Sequence, residues 1–207
     1  GVCVCDIGGG TSDLAIYVNG DVWHTMVLPV GGSHITQDIA VGLRVPPETA
    51  EMIKKQYGHA IKNEVDEDEF FTLRAFGEEH PVQVSRRDLA HVIEARVEEI
   101  FSLVHQVIRE SGYEELLSSG IVLTGGSAVM PGMVELAEDI FLKPVRKGTP
   151  LYSGALHDMV ASPRSATVMG LLEEARLARM RGMKAAQQAG SVQSLFGRVR
   201  DWFVGNF

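Results

Sequence analysis

Cysteine is almost missing from this chain. Only Cys3 and Cys5 occur among 207 residues. They lie two apart in an apolar, strand-like run, so period-2 geometry puts both on one face, and a disulfide between them would be strained. This excludes a disulfide-stapled scaffold and fits a reducing compartment. No Cys or His cluster offers metal-ligand spacing, and the seven histidines are scattered. No apolar run approaches the ~18 residues that cross a bilayer. Positive charge is also short, with 19 Lys+Arg against 27 Asp+Glu and a net charge of −8. That balance argues against a broad nucleic-acid surface. No secretory signal is present, because Gly1–Asp6 leads straight into a strand. The chain does not start with Met, so it reads as a piece of a longer protein.

What is present is 45% hydrophobic residues, enough for a packed core. Val2–Cys5, Leu14–Val18 and Val22–Val30 read as three strands of a meander. Asn19-Gly20 is the hairpin signal between the second and third. Ser33 is placed to cap a helix carrying Ile35, Ile39 and Leu43. Pro47 suits the first turn of a second helix, and Gly58 suits its stop. The acidic run Glu64–Glu69 lacks the spacing of a calcium loop and reads as a solvated loop. Phe70–Ala75 and Val82–Val84 alternate like a small sheet. Ser85-Arg86-Arg87-Asp88 opens a long helix whose stripe runs from Leu89 through Ile93, Val97, Phe101 and Val104 to Ile108. Gly120–Leu123 is a further strand, Met133–Phe141 a helix, Val145 a short strand and Ser165–Met180 helical.

Two glycine-rich turns each follow a strand: Asp6-Ile7-Gly8-Gly9-Gly10-Thr11 and Thr124-Gly125-Gly126-Ser127. Glycine lets a backbone approach phosphate oxygens without a Cβ clash. Thr11 and Ser127 could add hydroxyl donors. Asp6, at a strand end, is suited to orient a magnesium-bound or attacking water. No Gly-Lys-Ser/Thr follows, which excludes a Walker A loop, and the first turn leads to a strand, which excludes a Rossmann fingerprint.

These turns, the Val30-Gly31-Gly32 step, Ala50-Glu51-Met52-Ile53-Lys54 and the stretch 166–172 together resemble the actin/Hsp70/sugar-kinase ATPase superfamily, and within it the FtsA family of bacterial cell-division proteins. The resemblance runs along nearly the whole chain. It implies an α/β fold: the second lobe of an actin-like (ribonuclease-H-like) ATPase, with a small inserted α+β subdomain and a C-terminal amphipathic helix. Residues 1–45 and 112–180 would form the nucleotide-binding subdomain, 46–111 the insert, 181–194 a linker and 195–207 the terminal helix. The implied cofactors are ATP and Mg2+. Asp6 would stand near the magnesium water, with Gly8, Gly9, Gly10 and Thr11 around the phosphates. Gly125, Gly126 and Ser127 would lie along the adenosine and α-phosphate, and Glu51 and Lys54 beside adenine and ribose. From the residues alone, Glu51 and Lys54 also fit an ordinary exposed ion pair. The first lobe is not in this sequence, so the chain by itself is expected to lack ATPase activity and the whole protein to be at most a weak ATPase.

The resemblance further implies docking of the acidic, apolar C-terminal peptide of FtsZ on the insert, with Arg86 and Arg96 as its basic contacts. Read without the family, those arginines fit the solvated face of an amphipathic helix. Near the C-terminus, Val192, Leu195, Phe196, Val199, Trp202 and Phe203 form one apolar stripe flanked by Arg198 and Arg200. Upstream lies a basic stretch of Arg176, Arg179, Arg181 and Lys184. Such a segment suits a lipid interface, a docked terminal helix or a partner helix. The family favours the first, at the cytoplasmic face of the bacterial inner membrane. It also implies filaments and recruitment of later division proteins. A pilus-assembly actin-like protein and a sugar kinase or phosphatase are the rival readings.

Overall fold

In a computed structural model of the chain, residues 1–74, 76–77 and 80–182 are described. Gly1–Ala166 is one compact unit, and a second begins at Thr167.

The first unit is built on a five-stranded sheet in the order β3-β2-β1-β6-β7. β1 (Val2–Ile7) and β2 (Ser12–Val18) pair antiparallel. β3 (Asp21–Leu28) follows through Asn19 and Gly20, with φ of 54° and 90°. Both lie in the left-handed region that a two-residue hairpin requires, which is why Asn-Gly stands there. The alternation of β1 buries Cys3, Cys5 and Ile7 together. Burial pushes the Cys3 thiol up to about 12 and the Cys5 thiol well above its ordinary value, so both are inert packing groups.

β6 (Ile121–Thr124) runs parallel to β1, and β7 (Val145–Lys147) parallel to β6. All four residues of β6 are buried, as expected of a strand enclosed by neighbours. One apolar core joins β1, β2 and β6 to the helices α1 (Gly32–Leu43), α3 (Arg86–Glu110) and α4 (Met133–Phe141). The α3 stripe from Leu89 to Ile108 is buried as its spacing requires, and Phe101 meets Phe141 edge to face at 5.4 Å. Ser85 Oγ accepts from Asp88 N at 3.2 Å and caps α3.

α2 (Pro47–Tyr57) starts at Pro47 and stops at Gly58. The second, two-stranded sheet pairs β4 (Phe70–Leu73) with β5 (Val82–Ser85). It is tied to α2 by the stack of Phe71 on Tyr57, 4.4 Å between centroids.

Two local expectations need correction. Ser33 does not cap α1; Gly31 holds that position and Ser33 lies within the first turn. The amides of Gly32 and Ser33 find their acceptors in Gly8 O and Gly9 O, contacts from outside the segment. Gly58 ends α2 as expected, in an extended conformation with φ of −64°. A Cβ there would come within 2.3 Å of Lys54 O, so space demands the glycine. The acidic run is not merely solvated. Glu67 and Glu69 pair with Arg87 and Arg86, and Val65 is buried.

In the second unit the chain is helical to residue 182. Arg176 pairs with Glu173 and Arg181 with Glu174, so part of the basic stretch is neutralised locally. No described helix is long and apolar enough to cross a membrane. Leu195, Phe196, Arg198, Val199, Arg200, Trp202 and Phe203 lie outside the described residues, as do Lys184 and the rest of the expected linker after 182; its first two residues, 181 and 182, are helical.

Candidate functional site

Parallel pairing of β1 with β6 sets Asp6 beside Thr124, so both glycine-rich turns leave the sheet at one end. The first turn is closed by Gly8 N donating to Thr11 O at 2.9 Å. Its carbonyls then hold the start of α1: Gly32 N donates to Gly8 O at 2.9 Å and Ser33 N to Gly9 O at 2.7 Å. This approach leaves no room for side chains. A Cβ on Gly31 would stand 2.7 Å from Gly8 O, and one on Gly32 2.4 Å from Ser127 Oγ. Ser127 Oγ donates to Gly8 O at 3.3 Å and joins the second turn to the first.

Between these turns and α2 lies a cavity of about 390 Å3, within the range of small-ligand sites. Gly8 and Gly9 line it from the first turn, Gly126 and Ser127 from the second, and Glu51 and Lys54 from α2. Six of the residues expected around a nucleotide thus converge on one space. Four do not line it. Gly125, with φ +88°, packs beneath the site, where a Cβ would lie 2.3 Å from Asp6 Oδ1. Asp6 pairs with Asp13, one step before the β1–β2 ladder ends at Ile7 and Ser12. Gly10 is exposed, and Thr11 Oγ1 donates to Asp13 Oδ2 at 2.9 Å, so this hydroxyl is spent within its own loop.

Glu51 and Lys54 are not an ordinary surface pair. Lys54 Nζ is 2.6 Å from Glu51 Oε2, donates to Gly32 O at 2.9 Å and to Thr36 Oγ1 at 2.7 Å, and its side chain is only 13% exposed. Burial pushes the Glu51 carboxyl up, but hydrogen bonds from Lys54, Thr36 and Lys55 outweigh it and hold the group at about 2. The carboxylate is therefore ionised at neutral pH.

Several wall residues are not marked by the sequence as ligand contacts. Ile35, Met130 and Pro131 give an apolar wall, and Arg164 a further cation. Each is delivered by a remote contact. Ala60 N donates to Pro131 O at 2.8 Å, and Gly132 packs against the His59 ring. Pro163 O accepts from Gly125 N at 3.1 Å and Thr124 Oγ1 at 3.3 Å, which brings the 163–165 turn, and Arg164 with it, to the second glycine turn. Two lysines, an arginine and one carboxylate leave the cavity cationic, and the Ile35–Met130–Pro131 side is suited to a flat ring. An anionic ligand with an aromatic base fits that combination.

Arg86 and Arg96 lie elsewhere. Arg86 Nε donates to Tyr57 O at 2.9 Å and its guanidinium pairs with Glu69. Arg96 grips Asp38 of α1 through two bonds, 2.5 Å and 3.0 Å, and also pairs with Glu99. The Asp38 carboxylate holds Arg96 above its ordinary value.

Comparison with known proteins gives a consistent picture. The family model "Cell division protein FtsA" matches residues 3–170. The chain is 42% identical to the cell division protein FtsA of Pseudomonas aeruginosa, with all of this chain and 51% of that protein covered. It is 43% identical to the Bacillus subtilis protein of the same name, with 89% of this chain and 41% of that one covered. For Escherichia coli K12 the identity is 37%, over the whole chain and 51% of the relative. The chain therefore spans about half the length of these relatives. Among solved structures it is similar to MreB5 of Spiroplasma citri bound to ADP, with a TM-score of 0.61 and 25% identity, over 84% of this chain and 55% of that one. The double helical filament of MamK matches with a TM-score of 0.60 and 16% identity, over 83% and 54%, a likeness of fold. The α/β fold is thus that of the actin-like ATPases.

Proposed function

The chain belongs to the FtsA family of cell-division proteins, and from that premise we propose that its cavity is the adenosine and phosphate side of an ATP site. Membership sets aside the pilus-assembly and sugar-kinase readings. The observation that carries the proposal is the convergence of two glycine turns and the Glu51–Lys54 pair on one cationic cavity. Glycine at 8, 9 and 126 on the cavity wall leaves room for phosphate to approach the backbone. Gly8 to Thr11 would face the phosphates. Gly125, Gly126 and Ser127 would follow the α-phosphate and adenosine, and Glu51 and Lys54 the ribose and base. Among the described residues no group of three His, Cys, Asp or Glu side chains is placed to hold a metal. Mg2+ would be carried by the phosphates and water, with Asp6 contacting it through water. Magnesium would neutralise phosphate charge when bound. Residues 1–45 with 112–180 would be the nucleotide-binding part and 46–111 the insert.

The whole protein would bind ATP, assemble into filaments and tether the FtsZ ring to the cytoplasmic face of the inner membrane. It would take the acidic FtsZ peptide near Arg86 and Arg96 and recruit later division proteins. Leu195, Phe196, Val199, Trp202 and Phe203, with Arg198 and Arg200 at the headgroups, would be its lipid contact. One short interfacial helix binds reversibly, and many on one filament gain ~10²–10⁴ in avidity.

Titration with a fluorescent ATP analogue tests the cavity: saturable binding lost in Lys54→Met supports it, and binding indifferent to Lys54 refutes it. Co-sedimentation with anionic vesicles tests the tail. Removal of residues 191–207 should abolish binding, and survival of binding would sink that part.

A further inference from the structure

Thr36 stands behind the cavity, 8% exposed, one turn into α1. Its Oγ1 is 2.5 Å from Glu51 Oε2, 2.7 Å from Lys54 Nζ and 3.1 Å from Gly32 O. A hydroxyl has one proton to give, while an ammonium has three and accepts none. Lys54 therefore donates to Thr36 Oγ1, to Gly32 O at 2.9 Å and to Glu51 at 2.6 Å. The Thr36 proton goes to the charged carboxylate, the stronger acceptor, rather than to the carbonyl. Thr36 thus accepts from one member of the ion pair and donates to the other. It fastens both to the turn of α1 that Gly8 O and Gly9 O already hold.

The two oxygens of Glu51 are not equivalent. Oε2 is committed to Thr36 and Lys54. Oε1 pairs with the 58% exposed Lys55 at 3.1 Å, and Glu51 and Lys55 both line the cavity. A carboxylate held through one oxygen at a cavity wall is suited to accept from a sugar hydroxyl, because the bond is charge-assisted and the group is oriented in advance.

The geometry points to Thr36 as a positioning residue that aims Glu51 at the 2′-hydroxyl of a ribonucleotide. The inference rests on the nucleotide reading of the cavity and adds a source of discrimination between ribose and deoxyribose.

The test is calorimetric titration of the full 207-residue chain with ATP and with 2′-deoxy-ATP, each with magnesium. The unsubstituted chain should favour ATP by about fivefold, the worth of one net hydrogen bond. Thr36→Val should bring that ratio near one and weaken ATP by about tenfold, while Thr36→Ser, which keeps the hydroxyl, should retain the preference. Should Thr36→Val fail to fold, Thr36→Ala carries the same expectation. A preference that persists without the hydroxyl, or that Thr36→Ser loses, overturns the role. An unsubstituted chain that binds both nucleotides equally also overturns it, yet leaves the cavity reading intact. A chain that binds neither overturns both.

Discussion

The wall of the cavity and the face of α3 each carry charged side chains on a helix, and each set is paired with ions of its own chain. The consequences differ. Glu51 and Lys54 are neighbours on α2, and the bonds they make to Thr36 and Gly32 fix them where the cavity needs them. Pairing there is preparation. Arg86 and Arg96 are paired with acids that lie far off in sequence, Glu69 and Asp38. An acidic peptide arriving at that face must compete with those carboxylates. The same chemistry organises the cavity wall and, at the proposed docking face, would act as a competitor.

The largest effect should come from breaking the cavity's backbone. Gly125→Val adds a side chain where φ is +88° and Asp6 Oδ1 would be 2.3 Å from the Cβ. We expect a loss of about 3 kcal/mol or more in denaturant unfolding. Gly126→Ala, with nothing within 4 Å of its Cβ, should change stability by less than ~0.5 kcal/mol. Equal costs would mean that backbone approach does not set the site. On the α3 side, Arg96→Ala should cost about 1 kcal/mol by thermal unfolding. Asp38→Asn should instead tighten an acidic apolar peptide by about threefold in fluorescence anisotropy, as loss of a partly screened competitor predicts. A weaker complex would show that Asp38 shapes the face rather than guards it.

The smallest effect is the pH response of the cavity wall. The Glu51 carboxyl is held down from 4.5 to about 2. A depressed carboxylate adds stability that is present above its unfolded value and is lost as pH falls through the folded one. Stability should therefore decline between about pH 4.5 and 2, and Glu51→Gln should flatten that part of the profile. The side chain is 35% exposed, so solvent screening keeps the slope shallow. An identical profile in the variant would remove Glu51 from the acid response.

Elements whose information is local were legible in the sequence. The α3 stripe, the Asn19-Gly20 hairpin and the Pro47 start follow from periodicity and from the dihedral limits of single residues. The meeting of the two glycine turns was implied by the family resemblance, since a turn after a strand does not say which strand lies beside it. What escaped depends on contacts between distant segments. Ser33 is a good capping residue, yet α1 begins two residues earlier than a Ser33 cap would set it, because Gly8 O and Gly9 O hold its first amides. Thr11 has the right chemistry for a ligand, but Asp13 takes its proton. Thr36 and Arg164 are marked by no spacing at all. The acidic run reads as a solvated loop until the start of α3 places two arginines against it.

The parallel ladder between β1 and β6 has a further consequence, for the order of folding. Asp6 and Thr124 are joined only after everything between them has been threaded through α1, α2, the small sheet and α3. Such a closure is costly in chain entropy and comes late. Both glycine turns therefore face each other only in the finished fold, and a ligand held between them would act on the folding equilibrium as a bolt on that last pairing, stabilising the whole unit by an amount that grows with the logarithm of free ligand above its Kd.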